Sequence, residues 1–264
     1  MAIVFDGKAY SLKKKILLTS GMKLLKERGK YLKMATILVG EDSASKIYVN
    51  LKKKYIEDIG AELDIYNLPE KSTVDEIKSL IQTLNEDETV SGIMVQLPLP
   101  KSILNSKLQI INSIKPEKDV DGLRDGSKFT PPTVKAVLEI LSLAINETQK
   151  EVNSVCVVGA TGMVGKPLVK KLIENEYSVI GVDENTKTLK GKTLKGDALI
   201  SATGVINLIS PDMVKSDAIV IDVGSPFGDI DPRVEENVSF ITPVPGGVGP
   251  VTISCLAENL LQTV

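Results

Sequence analysis

The chain has 264 residues, enough for one large domain or two modest ones, with 42% hydrophobic residues and a formal net charge of −2. That balance supplies no basic field for nucleic acid, and no apolar run reaches the ~18 residues that a membrane span needs. The opening MAIVFDGKAY holds an acid and only a short apolar run, unlike a signal peptide, so a cytoplasmic protein is expected.

The chain contains no histidine. Ser-His and Cys-His catalysis and imidazole metal sites are therefore excluded, and a proton-transfer enzyme must rely on Lys, Asp, Glu, Tyr or Cys. Cys156 and Cys255 read as buried core thiols in a reducing compartment. No metal-ligand spacing is present.

In chain order, residues 8–29 have helical spacing with a lysine-rich face. MATILVG (34–40) is a short apolar run closed by glycine, hence a buried strand. Residues 43–59 are helical and end at Gly60, a good C-cap. LDIYNLP is a strand, and Ser72-Thr73-Val74-Asp75-Glu76 resembles a capped helix start leading to Leu84. GIMVQLP (92–98) is a strand stopped by prolines. A helix near 101–112, an extended segment at 118–122, a helix over 132–146 and a polar linker over 146–153 follow. SVCVVG begins a second strand–helix series that continues through YSVIGVDENT, DALISATG, AIVIDVG and VSFITP. Residues 242–252, TPVPGGVGPVT, combine prolines that hold the chain extended with Gly246, Gly247 and Gly249, which allow turns through positive φ. Pro250 then suits the first position of a terminal helix. The alternation argues for an α/β fold with parallel sheets covered by helices.

Strand, glycine turn, helix, strand and an acid about twenty residues on form a Rossmann-like dinucleotide layout, with pyrophosphate expected at the helix N-terminus. Candidate cofactor contacts are Gly159, Ala160, Thr161, Gly162, Val164, Gly165, Asp183 and Asn185, with Thr203, Gly204 and Ser225 at later strand ends. Thr161 stands where the G-x-G-x-x-G pattern has its second glycine. Such a turn taken alone is equally a structural strand-to-helix turn. In the first half, Ser45, Tyr48 and Lys52 share a helix face through i, i+3 and i, i+4 spacing, so the Tyr48 phenol can hydrogen-bond the Lys52 ammonium. Gln96 lies in an otherwise apolar strand and needs partners. Asp121, taken alone, is a turn aspartate before glycine.

Together these segments resemble the methylenetetrahydrofolate dehydrogenase/methenyltetrahydrofolate cyclohydrolase family. The matching stretches are VGEDSASKIYV (39–49), Lys52-x-Lys54, GIMVQLPLP (92–100), PEKDVDG (116–122) and 242–252, in the family's order over essentially the whole chain. The resemblance implies oxidation of 5,10-methylenetetrahydrofolate with a nicotinamide cofactor, then hydrolysis of the methenyl product to 10-formyltetrahydrofolate. It implies a folate cleft between an N-terminal catalytic domain, residues 1–134 completed by helix 251–264, and a nucleotide domain, residues 135–250. Lys52 matches the family's catalytic lysine, Tyr48 its stacking partner, Gln96 the residue that positions it, and Asp121 the carboxylate that binds the pterin. Ser45, Pro245, Gly246 and Gly247 border the substrate. A homodimer and a place in the one-carbon supply to purine biosynthesis are implied in the same way.

Three features depart from the family. The segment 123–132 is short and lacks the usual Pro-Cys-Thr-Pro ending. Ala160-Thr161 replaces Arg-Ser after the first glycine of the turn, removing an arginine that can pair with a 2′-phosphate. Asp183 and Glu184 would repel that phosphate and suit a ribose 2′-hydroxyl, whereas residues 185–188 can cradle it. NADP is the family's usual cofactor, and NAD remains open. A monofunctional dehydrogenase and a non-catalytic dinucleotide-binding protein are the alternative readings. Retention of Lys52 and Gln96 argues against the first, and the second requires neither folate binding nor Lys52.

Overall fold

A computed structural model describes residues 2–264. In chain order the regular elements are β1 (Ile3–Val4), α1 (Gly7–Glu27), β2 (Lys33–Val39), α2 (Ser43–Asp58), β3 (Glu62–Leu68), α3 (Val74–Glu86), β4 (Gly92–Val95), α4 (Lys107–Ile111) and α5 (Pro132–Thr148). They continue with β5 (Ser154–Val158), α6 (Gly165–Glu174), β6 (Ser178–Val182), α7 (Leu189–Thr193), β7 (Ala198–Ser201), β8 (Ile219–Asp222), β9 (Phe240–Ile241) and α8 (Val248–Leu261). Two compact units result: residues 12–132 with 253–264, and residues 1–11 with 133–252.

The first unit is built on a three-stranded parallel sheet, ordered β3-β2-β4. β2 is buried along almost its whole length, as expected of a strand covered on both faces. Met34 and Met94 face a cluster with Leu18 and Met22 of α1, Ile56 of α2, and Leu256 and Leu260 of α8. Ala35, Ile37 and Ile93 face the other way, against Ile77 and Ile81 of α3 and Ile110 of α4. Gly60, at φ +96°, ends α2 where a side chain would be strained. α3 begins with the expected capping box between Thr73 and Glu76.

The second unit has a six-stranded, all-parallel sheet in the order β1-β9-β8-β7-β5-β6. β5 lies between β6 and β7, so successive connections leave it in opposite directions. A crevice at the carboxyl ends of the strands opens at such a switch point.

Several boundaries differ from those read in the sequence. Residues 1–11 group with the six-stranded unit, not with the N-terminal stretch. Ile3 N–H donates to Ser239 O at 2.8 Å and Phe5 N–H to Ile241 O at 2.9 Å, and the Phe5 and Phe240 rings stand 5.8 Å apart. A strand of two residues is too short to leave a periodic signal. α8 starts at Val248, two residues before Pro250, and takes in Gly249. Of the three glycines in that loop only Gly246 has a positive φ, at +108°. α5 runs on to Thr148, into the expected linker, and the expected helix near 101–112 divides into a 3-10 turn (Lys101–Ser106) and α4.

Gly165 opens α6 directly beneath the β5 turn, and a Cβ there would run into the Gly159 carbonyl oxygen. Gly165→Ala should therefore cost about 1–3 kcal/mol of stability through overpacking. Urea unfolding of the variant measures that loss, and an unchanged midpoint would show that α6 moves aside freely.

Candidate active site

In the three-stranded unit, Asp42 caps α2 by accepting from Ser45 N–H at 2.7 Å. The helix then buries Ser45, Val49 and Ile56, which leaves Tyr48 and Lys52 half-buried on the adjoining turns. The Ser45 hydroxyl is buried with no hydrogen-bond partner among the described residues. Lys52 Nζ donates to Gln96 Oε1 at 3.0 Å. Gln96 sits one residue beyond β4, where its N–H extends the sheet by donating to Ile37 O at 2.9 Å. Its own amide N–H donates to Leu97 O at 2.6 Å, so the oxygen is the end that faces the lysine. A second contact was not legible in the sequence: Met94 Sδ lies 3.3 Å from Lys52 Nζ. Methionine in an apolar strand reads as core, and only the structure sets it against an amine.

Burial lowers the proton affinity of Lys52, and the charge of Asp121 partly opposes that shift. Burial raises Asp121 to about 6, with Lys52 pulling it down and Asp119 pushing it further up. The same desolvation thus moves both groups toward their neutral forms. Near neutral pH Asp121 remains mainly a carboxylate, a pure acceptor.

The short 123–132 segment is a closed loop in this structure. Asp119, fully buried, accepts from Arg124 N–H at 3.0 Å, and its main-chain oxygen accepts from the Ser127 hydroxyl at 3.3 Å. Gly122 turns at φ +64°, and a Cβ there would stand 2.7 Å from Phe129 O. Asn259 of α8 donates to both Val120 O at 2.9 Å and Thr130 O at 3.0 Å, tying the two arms of the loop beside Asp121. Asp119 and Asn259 escaped the sequence reading: one stands in a segment read only as extended, the other lies in a helix 138 positions beyond Asp121.

The six-stranded unit carries the expected glycine turn. Gly159 has φ +85°, a Cβ there would lie 3.0 Å from the Ala202 carbonyl carbon, and both Gly159 N–H and Ala160 N–H donate to Val182 O at 2.8 and 2.9 Å. Gly162 N–H returns to Gly159 O at 3.0 Å. Thr161 and Gly162 are exposed, Val164 is the N-cap of α6, and no side chain caps that end. α6 has no acid in its first turn. An uncapped helix start free of negative charge suits an anionic pyrophosphate.

Asp183 is occupied locally. Its Oδ1 accepts from Asn185 N–H at 3.0 Å and from the Thr186 hydroxyl at 3.1 Å, which shapes the turn after β6. Thr203 is turned inward: its N–H and hydroxyl donate to Asp229 Oδ2 at 2.7 and 2.8 Å, and the Ser201 hydroxyl donates to the same oxygen at 2.8 Å. Asp222 at the end of β8 is buried and accepts from Gly224, Asp229 and Ile230 N–H. Neither aspartate was singled out in the sequence, because each stands in an apolar strand or an ordinary turn. Gly204, at φ +70°, and Ser225 remain exposed. Pro245, Gly246 and Gly247 also belong to this unit, where the backbone of Gly246 and Gly247 lies against Gly7 so closely that no Cβ fits there. Both cysteines are buried thiols outside any disulfide, and burial pushes the Cys156 thiol up to about 12.

Residues 5–121 match the model of the tetrahydrofolate dehydrogenase/cyclohydrolase catalytic domain, and residues 131–264 that of the NAD(P)-binding domain of the same family. The bifunctional protein FolD of Francisella philomiragia is 41% identical, with 98% of this chain and 97% of the relative aligned. Among solved structures, the bifunctional FolD methylenetetrahydrofolate dehydrogenase/cyclohydrolase of Campylobacter jejuni superposes with a TM-score of 0.92 at 38% identity, covering 100% of this chain and 98% of that one. The Trypanosoma brucei enzyme, solved with NADP and an inhibitor, gives 0.91 at 32% identity over 99% and 97%. The chain therefore belongs to the tetrahydrofolate dehydrogenase/cyclohydrolase family.

Proposed function

We propose that this protein oxidises 5,10-methylenetetrahydrofolate to the 5,10-methenyl form with NADP and hydrolyses that product to 10-formyltetrahydrofolate. The observation that carries the reading is the amine of Lys52, drawn out of water and held 3.0 Å from an uncharged amide oxygen. A methenyl bridge bears positive charge, so a permanent ammonium beside it would oppose its formation. Lys52 in its neutral form avoids that repulsion. It takes one proton from the water that adds to the bridge carbon. The carbon–N5 bond then breaks, N5 gains a proton and the hydroxyl proton leaves, for a net release of one proton. Gln96 holds the amine without adding charge. Asp121 accepts hydrogen bonds from the pterin edge, and Tyr48 and Ser45 flank the substrate on the same helix face.

The residues around the β5 turn fit a dinucleotide. Gly159 and Gly165 let the turn pack tightly at the uncapped α6 N-terminus, where the pyrophosphate would bind, and the cofactor would supply the hydride acceptor. Asn185, Lys187 and Thr188 are the side chains available to a 2′-phosphate, the Thr186 hydroxyl being engaged by Asp183, and Asp183 turned into its own loop supports the NADP reading. Homodimer assembly, the supply of one-carbon units to purine biosynthesis and a cytoplasmic location belong to this reading through family likeness alone. Among the described residues no helix is long and apolar enough to cross a membrane.

Lys52→Met should reduce cyclohydrolase turnover by roughly 10²–10⁴-fold. The folded protein binds fewer protons at this position than the unfolded chain between the lowered pKa and 10.5, so below that window the amine subtracts stability. The variant's thermal midpoint at pH 7 should accordingly stay level or rise, which separates lost chemistry from lost fold. Turnover within a few-fold of wild type would sink the assignment.

Asp121→Ala should act on binding instead, raising KM for the folate about ten- to a hundredfold through loss of a charge-assisted hydrogen bond. In the unaltered enzyme, folate affinity should fall as the pH drops through about 6, where Asp121 gains its proton. Isothermal titration across pH 5 to 8 tests this, and a flat profile counts against Asp121 as the acceptor.

For the cofactor, Asp183→Ser removes a negative charge near the expected ribose site. The NADP-to-NAD ratio of kcat/KM should rise. A ratio that stays put means Asp183 serves only its turn.

A further inference from the structure

Lys52 Nζ has two acceptors, and the second is a thioether. Met94 Sδ stands 3.3 Å away, and Met94 is fully buried on β4 two residues before Gln96. The two-residue repeat of a strand puts both side chains on one sheet face. Met34, Ile56 and Leu63 close in with Met94 in the same cluster and hold the sulfur in place.

A methionine is a deliberate compromise at such a position. A carboxylate would pair with the lysine and lock it as ammonium. A hydrocarbon would leave an N–H facing nothing, at a desolvation cost. Sulfur is a weak, polarizable, uncharged acceptor that lies between these limits. We propose that Met94 is a positioning residue for Lys52, its sulfur acting with the Gln96 oxygen to fix the direction of the amine and to hold its proton affinity above that beside a hydrocarbon wall. This rests on Lys52 as the proton-transfer group.

The charges around Lys52 leave room for so weak a contact to matter. Asp121 is the charged group whose field on Lys52 is resolved, and Asp119 acts on Asp121. On α2 itself, Tyr48 lies one turn before and Lys53 pairs with Glu57. β2 offers Met34, Thr36 and Leu38 to this face, none of them titratable. On α1 and α8, Lys14 and Glu258 pair with each other at 2.6 Å.

The test is the titration of Lys52 in the free protein, followed by NMR of ¹³C-labelled lysine and assigned with Lys52→Met. Met94→Leu conserves volume and removes the sulfur. Met94→Ile is a second sulfur-free variant should leucine not be accommodated, and urea unfolding checks each fold. In either variant the Lys52 midpoint should fall by about half a pH unit, the scale of one weak hydrogen bond. The rising limb of the cyclohydrolase pH profile should move down with it, with a few-fold loss in kcat and little change in KM. An unmoved or raised Lys52 midpoint overturns the proposal. A lowered midpoint that the cyclohydrolase profile does not follow leaves the sulfur contact standing and removes Lys52 from proton transfer.

Discussion

Lys52 sits where water is scarce, and the geometry of its surroundings follows from that. An ammonium deprived of solvent must either lose its proton or find acceptors. Here it meets an amide oxygen and a sulfur, neither charged, and feels one carboxylate. The sheet beneath it has to be rigid, because an amine that swings away recovers its hydration and its ordinary proton affinity. β4 provides that rigidity by pairing in register with β2, Met94 opposite Thr36 and Val95 opposite Ile37. Gln96 then continues the ladder through its own N–H.

Asp121 answers to the same constraint from the other side. Its carboxyl is desolvated too, and its loop is held by groups that never reach the site: Asp119 through Arg124 N–H, and Asn259 through two carbonyls. The six-stranded unit repeats the device. Asp222 and Asp229 gather main-chain N–H groups and hydroxyls at the ends of β7 and β8, which fixes the shape of the strand ends.

The regular elements were legible because they follow strong local rules. β2 is an uninterrupted apolar run, α3 carries a capping box, and Gly60 marks a helix end. The Ser45–Tyr48–Lys52 face followed from helical spacing, and Gln96 stood out as a polar residue in an apolar strand. What stayed hidden depends on distant partners. β1 is two residues long and has meaning only beside β9. Met94 is indistinguishable from core until a lysine is set against it. Asn259 lies in a helix whose apolar residues give no hint that one amide reaches Val120 and Thr130. Pro250 pointed to a helix start and missed it by two residues, since proline is tolerated anywhere in the first turn.

α8 also orders events in time. Leu256, Ala257 and Leu260 complete the core over one face of the three-stranded sheet, and Asn259 fastens the loop that carries Asp121. The strands of that sheet leave the ribosome early, yet the apolar face that α1 and α2 share with α8 stays incompletely covered until synthesis has passed residue 260. The three-stranded unit is therefore finished last, and for most of translation it exposes a surface for a chaperone to guard.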